Sequence, residues 1–228
     1  LYRRYARLGN LADLNEAIIR VETAIDAYPL GNPTPGNMLN VRSLLLRERF
    51  EQLGDIKDLE LAVRINEETV RLTRAGNPDN ARALECLGWV LFRKFEQVGY
   101  LGDLQKAIKY GEEALAATPQ DYPDRASRHS NLETWLSRRF RRIGDLGDLE
   151  KAIKHGKEAL AATPQGHAYR AERQYSLGYG LYMRFERIGD LEDLQKAIKH
   201  GEEALAATPQ DHPDRAERQR NLGYGLYI

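Results

Sequence analysis

The sequence predicts an all-α fold, a solenoid of stacked helical hairpins. Three observations predict it. The chain repeats every 45 residues: Gly9, Gly54, Gly99, Gly144 and Gly189 keep that interval, as do Ala17, Ala62, Ala107, Ala152 and Ala197. Within each copy, apolar residues recur at the i, i+3, i+4, i+7 spacing of one helix face. No segment alternates at the period of two that a half-buried strand needs, so no sheet is expected. The copies are close: between Leu101–Ala126 and Leu191–Ala216, 23 of 26 residues are identical.

Each copy divides into a helix A and a helix B. The chain opens in the last turns of a helix A, before Gly9. In the fourth copy helix A is predicted from Arg170 to Ile188, with Ala171, Leu177, Leu181, Phe185 and Ile188 near helical spacing. Asp124 and Asp214, each just after a proline, are expected as N-caps. Gly144 and Gly189 follow the last apolar residue, as C-terminal caps do. Asp145 and Asp190 then cap helix B, with Asp148 and Asp193 three residues on, near the positive end of its dipole. The stripe of the last helix B is Leu194, Ala197, Ile198, Gly201, Ala204 and Leu205. Thr208-Pro209 ends it, since proline cannot donate a backbone bond and biases its predecessor away from helix. A glycine inside a helix costs about 1 kcal/mol against alanine. Its presence at Gly111, Gly156 and Gly201 therefore implies close packing, although Val21 and Asn66 hold that slot earlier. A lone hairpin cannot bury its stripe, so the copies must stack.

Composition narrows the function. With 228 residues and 42% hydrophobic residues the chain can bury a sizeable core. Lys+Arg and Asp+Glu are both 34, a balance that argues against nucleic acid, whose binders present basic surface. The one cysteine, Cys86, excludes an internal disulfide and suits a reducing, cytoplasmic setting, where it is expected as a small buried hydrophobe. No apolar run approaches the roughly 20 residues that span a bilayer, so no membrane partner is expected. The motif GxxxxGK[ST] is absent, and neither a catalytic arrangement nor a cofactor site is expected.

"NLGYGL" at Asn221–Leu226, with Ala197, Ala204 and Pro209 before it, resembles the tetratricopeptide (TPR) signature. So does "LGWVL" at Leu87–Leu91, followed by Ala107, Ala114 and Pro119. The resemblance covers residues 1–228 as a single array of about five repeats. The period exceeds the usual 34 residues or so, and glycine replaces a frequent aromatic at Gly111, Gly156 and Gly201. The long repeat looks like TPR arrays of fungal proteins that carry caspase-like CHAT or NACHT-type nucleotide-binding domains, and more distantly like kinesin light-chain repeats. The resemblance implies a right-handed superhelix whose A helices line a concave groove for a protein or peptide. The second copy fits least well: Arg42 stands where Leu87 and Leu132 stand later, and Arg74 replaces the proline.

Helix A changes among the copies at three slots: Glu85, Ser130, Tyr175, Arg220; Trp89, Thr134, Tyr179, Tyr224; and Phe92, Ser137, Tyr182, Tyr227. Spaced four and three apart, they share a stripe. If the resemblance holds, that stripe faces the groove and forms an aromatic ladder broken at Thr134/Ser137. Arg93, Arg138, Glu96 and Glu186 flank it and supply charge selectivity. Tyrosine and tryptophan often carry interface energy. Packing between adjacent A helices is the competing role for these rings. The exchange of Trp for Thr and Phe for Ser favours the groove, because removing a buried ring costs about 3–5 kcal/mol.

Other candidates are plainer. His155 and His200 share a helix B slot, His167 and His212 a loop slot, and His129 stands alone. All are expected as solvated side chains, not metal ligands. Glu112, Glu113, Glu202 and Glu203 pair with Lys106, Lys109, Lys196 and Lys199 on a solvated helix face. Both ends interrupt a repeat, and no polar capping repeat is visible, so a fragment of a longer array is expected. Two roles remain open: a protein-binding module, and a spacer or scaffold that self-associates head to tail through uncapped ends.

Overall fold

The computed structural model describes residues 2–28, 36–73 and 78–226. Among them lie eleven α-helices and no strand. The chain divides into two compact units, Leu1–Pro119 and Gln120–Ile228. Unit 1 holds α1 (Tyr2–Leu8), α2 (Leu11–Asp26), α3 (Gly36–Leu53), α4 (Ile56–Leu72), α5 (Pro78–Val98) and α6 (Leu101–Ala116). Unit 2 holds α7 (Arg125–Ile143), α8 (Leu146–Ala161), α9 (Arg170–Ile188), α10 (Leu191–Ala206) and α11 (Arg215–Leu226). Odd-numbered helices are A, even-numbered B. In each unit consecutive helices pack in sequence order. A helices also touch the next A helix, α3 with α5 and α7 with α9, while no comparable contact joins α2 with α4 or α8 with α10. Arg74, noted above, lies outside the described residues. Arg42 is accommodated by an ion pair, 2.7 Å from Glu22 on α2.

The turn between A and B is the same in every copy. Gly144 and Gly189 adopt φ of 78° and 77°, the left-handed region, and their N–H groups donate to Phe140 and Phe185 carbonyls at 2.7 Å. A Cβ there would meet nothing within 4 Å, so backbone conformation and not space requires glycine. The next residue caps helix B: Asp145 accepts from the Gly147 N–H at 3.0 Å and Asp190 from the Glu192 N–H at 2.9 Å. Asn10 and Asp55 do likewise. Tyr100 cannot, and α6 starts without a side-chain cap. Tyr100→Asp is expected to raise stability by up to about 1 kcal/mol in chemical denaturation, since that is the usual worth of such a cap.

A second constant feature ties the two helices together. Arg4, Arg49, Arg139 and Arg184 each grip, with two nitrogens, the aspartate nine residues on: Asp13, Asp58, Asp148 and Asp193. The Arg49 contacts are 2.8 and 2.6 Å, those of Arg184 2.5 and 2.6 Å. In the third copy Lys94 replaces arginine and reaches Asp103 by one contact of 3.4 Å. The aspartate is thus more than a dipole-favoured residue at the start of helix B: it is a buried counterion for helix A.

Helix A begins differently from the sequence-based expectation. Asp124 sits in a helical backbone conformation and makes no side-chain cap bond. Histidine takes part instead: the Nδ1 atoms of His167 and His212 accept the N–H groups of Tyr169 and Asp214, each at 3.2 Å. These rings therefore close the turn before α9 and α11. At the far end of helix B, Arg215 donates to the Leu205 carbonyl at 3.0 Å and to that of Thr208, satisfying acceptors that the helix end leaves open.

Candidate functional site

The variable slots fall on A helices, and the two units treat them differently. In unit 1, Trp89 is half-buried on α5, with the guanidiniums of Arg47 and Arg93 at 4.6 and 5.7 Å from its ring. Arg93 is held by Glu51 at 2.8 Å and Glu96 at 2.5 Å. Burial opposes its charge, the two carboxylates outweigh it, and its pKa is raised. Phe92, expected on the open stripe, is buried at 7% exposure. Glu85 and Cys86 are half-buried. The aromatic rung of unit 1 is therefore braced by its own chain.

Unit 2 is more open. On α7, Thr134 is exposed, its hydroxyl donating to the Ser130 carbonyl at 3.1 Å, while Ser130, Ser137 and Arg138 are half-buried. On α9, the Tyr175 hydroxyl donates to Glu217 of α11 at 3.4 Å, and Arg218 stands 5.7 Å from its ring. The Tyr182 hydroxyl donates to Glu186 at 2.9 Å, one turn along. Between them Tyr179 presents its ring to solvent at 36% exposure. Arg220 is exposed, 4.0 Å from Glu217. The Tyr224 side chain and Tyr227 lie outside the described residues.

Where α7 meets α9 there is a cavity of about 190 Å³ lined by Ser127, Ser130, Asn131, Tyr169, Glu172 and Arg173. Arg173 is its buried element: Nη2 donates to Ser127 Oγ at 3.2 Å and Nη1 to Thr163 Oγ1. Burial lowers the pKa of this guanidinium, with Glu172, Glu133 and Tyr169 opposing. Two hydroxyls, an amide and a cation beside an exposed phenol can hydrogen-bond an extended chain while a ring covers it.

Several residues were missed or misplaced by sequence reasoning. His129 does not stand alone: its Nδ1 lies 2.9 Å from Nδ1 of His155 across the α7–α8 hairpin. Glu133 is buried on α7 against Gly156. A signal for it existed, because the equivalent residues are all small: Ser43, Gly88, Gly178 and Gly223. The helical glycines pack closely, as their spacing implied: a Cβ on Gly156 would lie 2.6 Å from Glu133 Oε1, and one on Gly201 3.1 Å from Leu222. Among the described residues, no three His, Cys, Asp or Glu side chains converge as metal ligands do. No helix among them is long and apolar enough to cross a membrane.

A tetratricopeptide-repeat family model matches residues 67–122. Solved structures share the fold. The nearly identical TPR-like repeats of a kinesin light chain candidate from Podosopora anserina align with 86% of this chain and 88% of theirs, at 18% identity and a TM-score of 0.63. BtubC (BKLC) from P. vanneervenii gives 0.66 over 95% of this chain and 81% of its own, also at 18% identity. A thermophilic TPR protein of Thermus thermophilus gives 0.60 over 99% and 97%, again at 18%. A comparison with curated proteins found no match. What these comparisons share with the chain is the fold of stacked helical hairpins.

Proposed function

We propose that this chain is a protein-interaction module whose A-helix face in unit 2 holds an extended protein or peptide segment, as the sensor or regulatory part of a larger protein. The observation that carries it is Tyr179, an exposed ring between Tyr175 and Tyr182 on the same α9 that, with α7, lines the polar cavity. Within each unit, contact between successive A helices, without its counterpart among B helices, supports the A side as a continuous wall for a partner. The bracing of Trp89 by Arg47 and Arg93 makes unit 1 the weaker candidate. A cytoplasmic setting, and a fungal-type array tied to a CHAT or NACHT domain, belong to the same proposal and rest on Cys86 and the long repeat.

The test uses peptides selected from a displayed random library on the intact protein, titrated by calorimetry. Tyr179→Ala with Tyr182→Ala is expected to weaken binding about 30-fold or more, the effect of losing one interface hot spot. Unchanged affinity would remove these tyrosines from the site. If no peptide is selected and the protein sediments as concentration-dependent oligomers, the scaffold role with head-to-tail association replaces the binding module.

A further inference from the structure

The α7–α8 hairpin departs from the other copies at facing slots. Glu133 stands where Ser43, Gly88, Gly178 and Gly223 stand in the other copies, and His129 where Leu39, Leu84, Gln174 and Gln219 do. In the α9–α10 hairpin, Gly178 allows close approach: a Cβ there would be 3.1 Å from the Ala197 carbonyl oxygen. In α7–α8 the same slot holds a carboxyl group instead, 3% exposed, with a buried Oε2 that has no hydrogen-bond partner. One turn earlier on α7, His129 meets His155 of α8, Nδ1 to Nδ1 at 2.9 Å. That bond needs a proton on one nitrogen and a lone pair on the other, so at least one ring must be neutral.

We propose that the α7–α8 hairpin is a proton-gated joint, closed while Glu133 is protonated and the His129–His155 bond is intact, and loosened when either condition fails. Loosening would shift α7, which carries Ser130, Thr134 and Ser137. That consequence for ligand binding rests on the function proposed above; the gating itself does not.

The groups that face the joint fix its direction. Burial drives the Glu133 pKa from 4.5 to about 8; Arg173 on α9 opposes this and Glu172 adds to it. Arg173 is already committed to Ser127 and Thr163. Burial lowers both histidines. His155 falls from 6.5 to about 4, helped by His129, Lys154 and Lys151. His129 is lowered further by Arg125 and Lys154, with Glu158 opposing. For Glu133 the closed form binds the proton more tightly than the opened one. Its contribution is full below pH 4.5 and is lost as pH rises to about 8. For the histidines the closed form binds protons more weakly. Their contribution is full above 6.5 and is lost as pH falls towards about 4. Between pH 4.5 and 6.5 the falling Glu133 contribution and the rising His155 contribution offset each other, and the lowered His129 tips the balance towards 6.5; above 6.5 only the Glu133 loss remains and the joint loosens.

Hydrogen exchange of α7 and α8 amides in the unliganded protein, corrected for intrinsic rates, reads the opening. Between pH 6.5 and 8 the opening constant is expected to rise more than about tenfold in the natural protein. Glu133→Gln should flatten that rise, and Glu172→Gln should keep it. An equal rise in Glu133→Gln, or none in the natural protein, overturns the proposal. The carboxyl ¹³C titration of Glu133 in the natural protein is a check that needs no variant: a midpoint near 4.5 overturns it too.

Discussion

Arg184→Met is expected to destabilise the protein by about 3 kcal/mol, and by clearly more than Asp193→Asn, although both remove the same pair. The asymmetry follows from exposure. The Asp193 side chain is 2% exposed and that of Arg184 23%. Without arginine, a carboxylate stays behind the turn with its counterion gone. Without aspartate, the guanidinium can reach water. The helix start tempers the first loss, because Asp193 lies in the first turn of α10, where negative charge is favoured. The pair also carries a pH signature. The hydrogen bond from Arg184 holds the Asp193 pKa below its ordinary 3.8, with burial acting against it. The pair's stabilisation is thus present above 3.8 and is lost as pH falls through the lower folded value. Urea denaturation at pH 7 and pH 3 reads both effects. The difference between Arg184→Met and the natural protein should shrink at pH 3. Equal losses in the two variants at pH 7 would mean that burial of the carboxylate is not what the arginine offsets.

The hairpins were legible because a 45-residue period forces equivalent residues into equivalent environments. Gly189 and Asp190 could be assigned to a turn and a cap from one copy and checked in the next. The arginine clamp was present in the same register, at 49/58, 139/148 and 184/193, yet its partners sit on different helices across a left-handed glycine. Only the turn's geometry brings them together. The candidate site was legible in part. The period shows that Trp89 and Tyr179 share a slot, but not that Arg47 of the preceding A helix covers one ring and leaves the other open. Long-range neighbours decide that. His129 and His155 illustrate the limit: 26 residues apart and in unrelated slots, they meet only when the hairpin closes.

Leu181→Ala is expected to cost about 3 kcal/mol, within the usual range for a fully buried leucine. Leu181 lies in a cluster with Leu149 and Ile153 of α8, Leu177 and Met183 of α9, and Ala197 of α10. Three consecutive helices therefore lose contacts from one truncation. The backbone can collapse little into the gap: Gly178 already sets α9 against the Ala197 carbonyl, and a Cβ on Gly180 would touch Ile153 at 3.4 Å. Relaxation being limited, most of the cavity persists and the loss sits above the transfer term alone. Ile188→Ala is the control, a similar deletion on the same helix at an exposed residue, expected within about 0.5 kcal/mol of the natural protein. Because stability in stacked repeats is a sum of neighbour terms, exchange protection in Leu181→Ala should fall first in α8, α9 and α10. Equal destabilisation by Leu181→Ala and Ile188→Ala would show that the α8–α9–α10 seam does not hold these hairpins together.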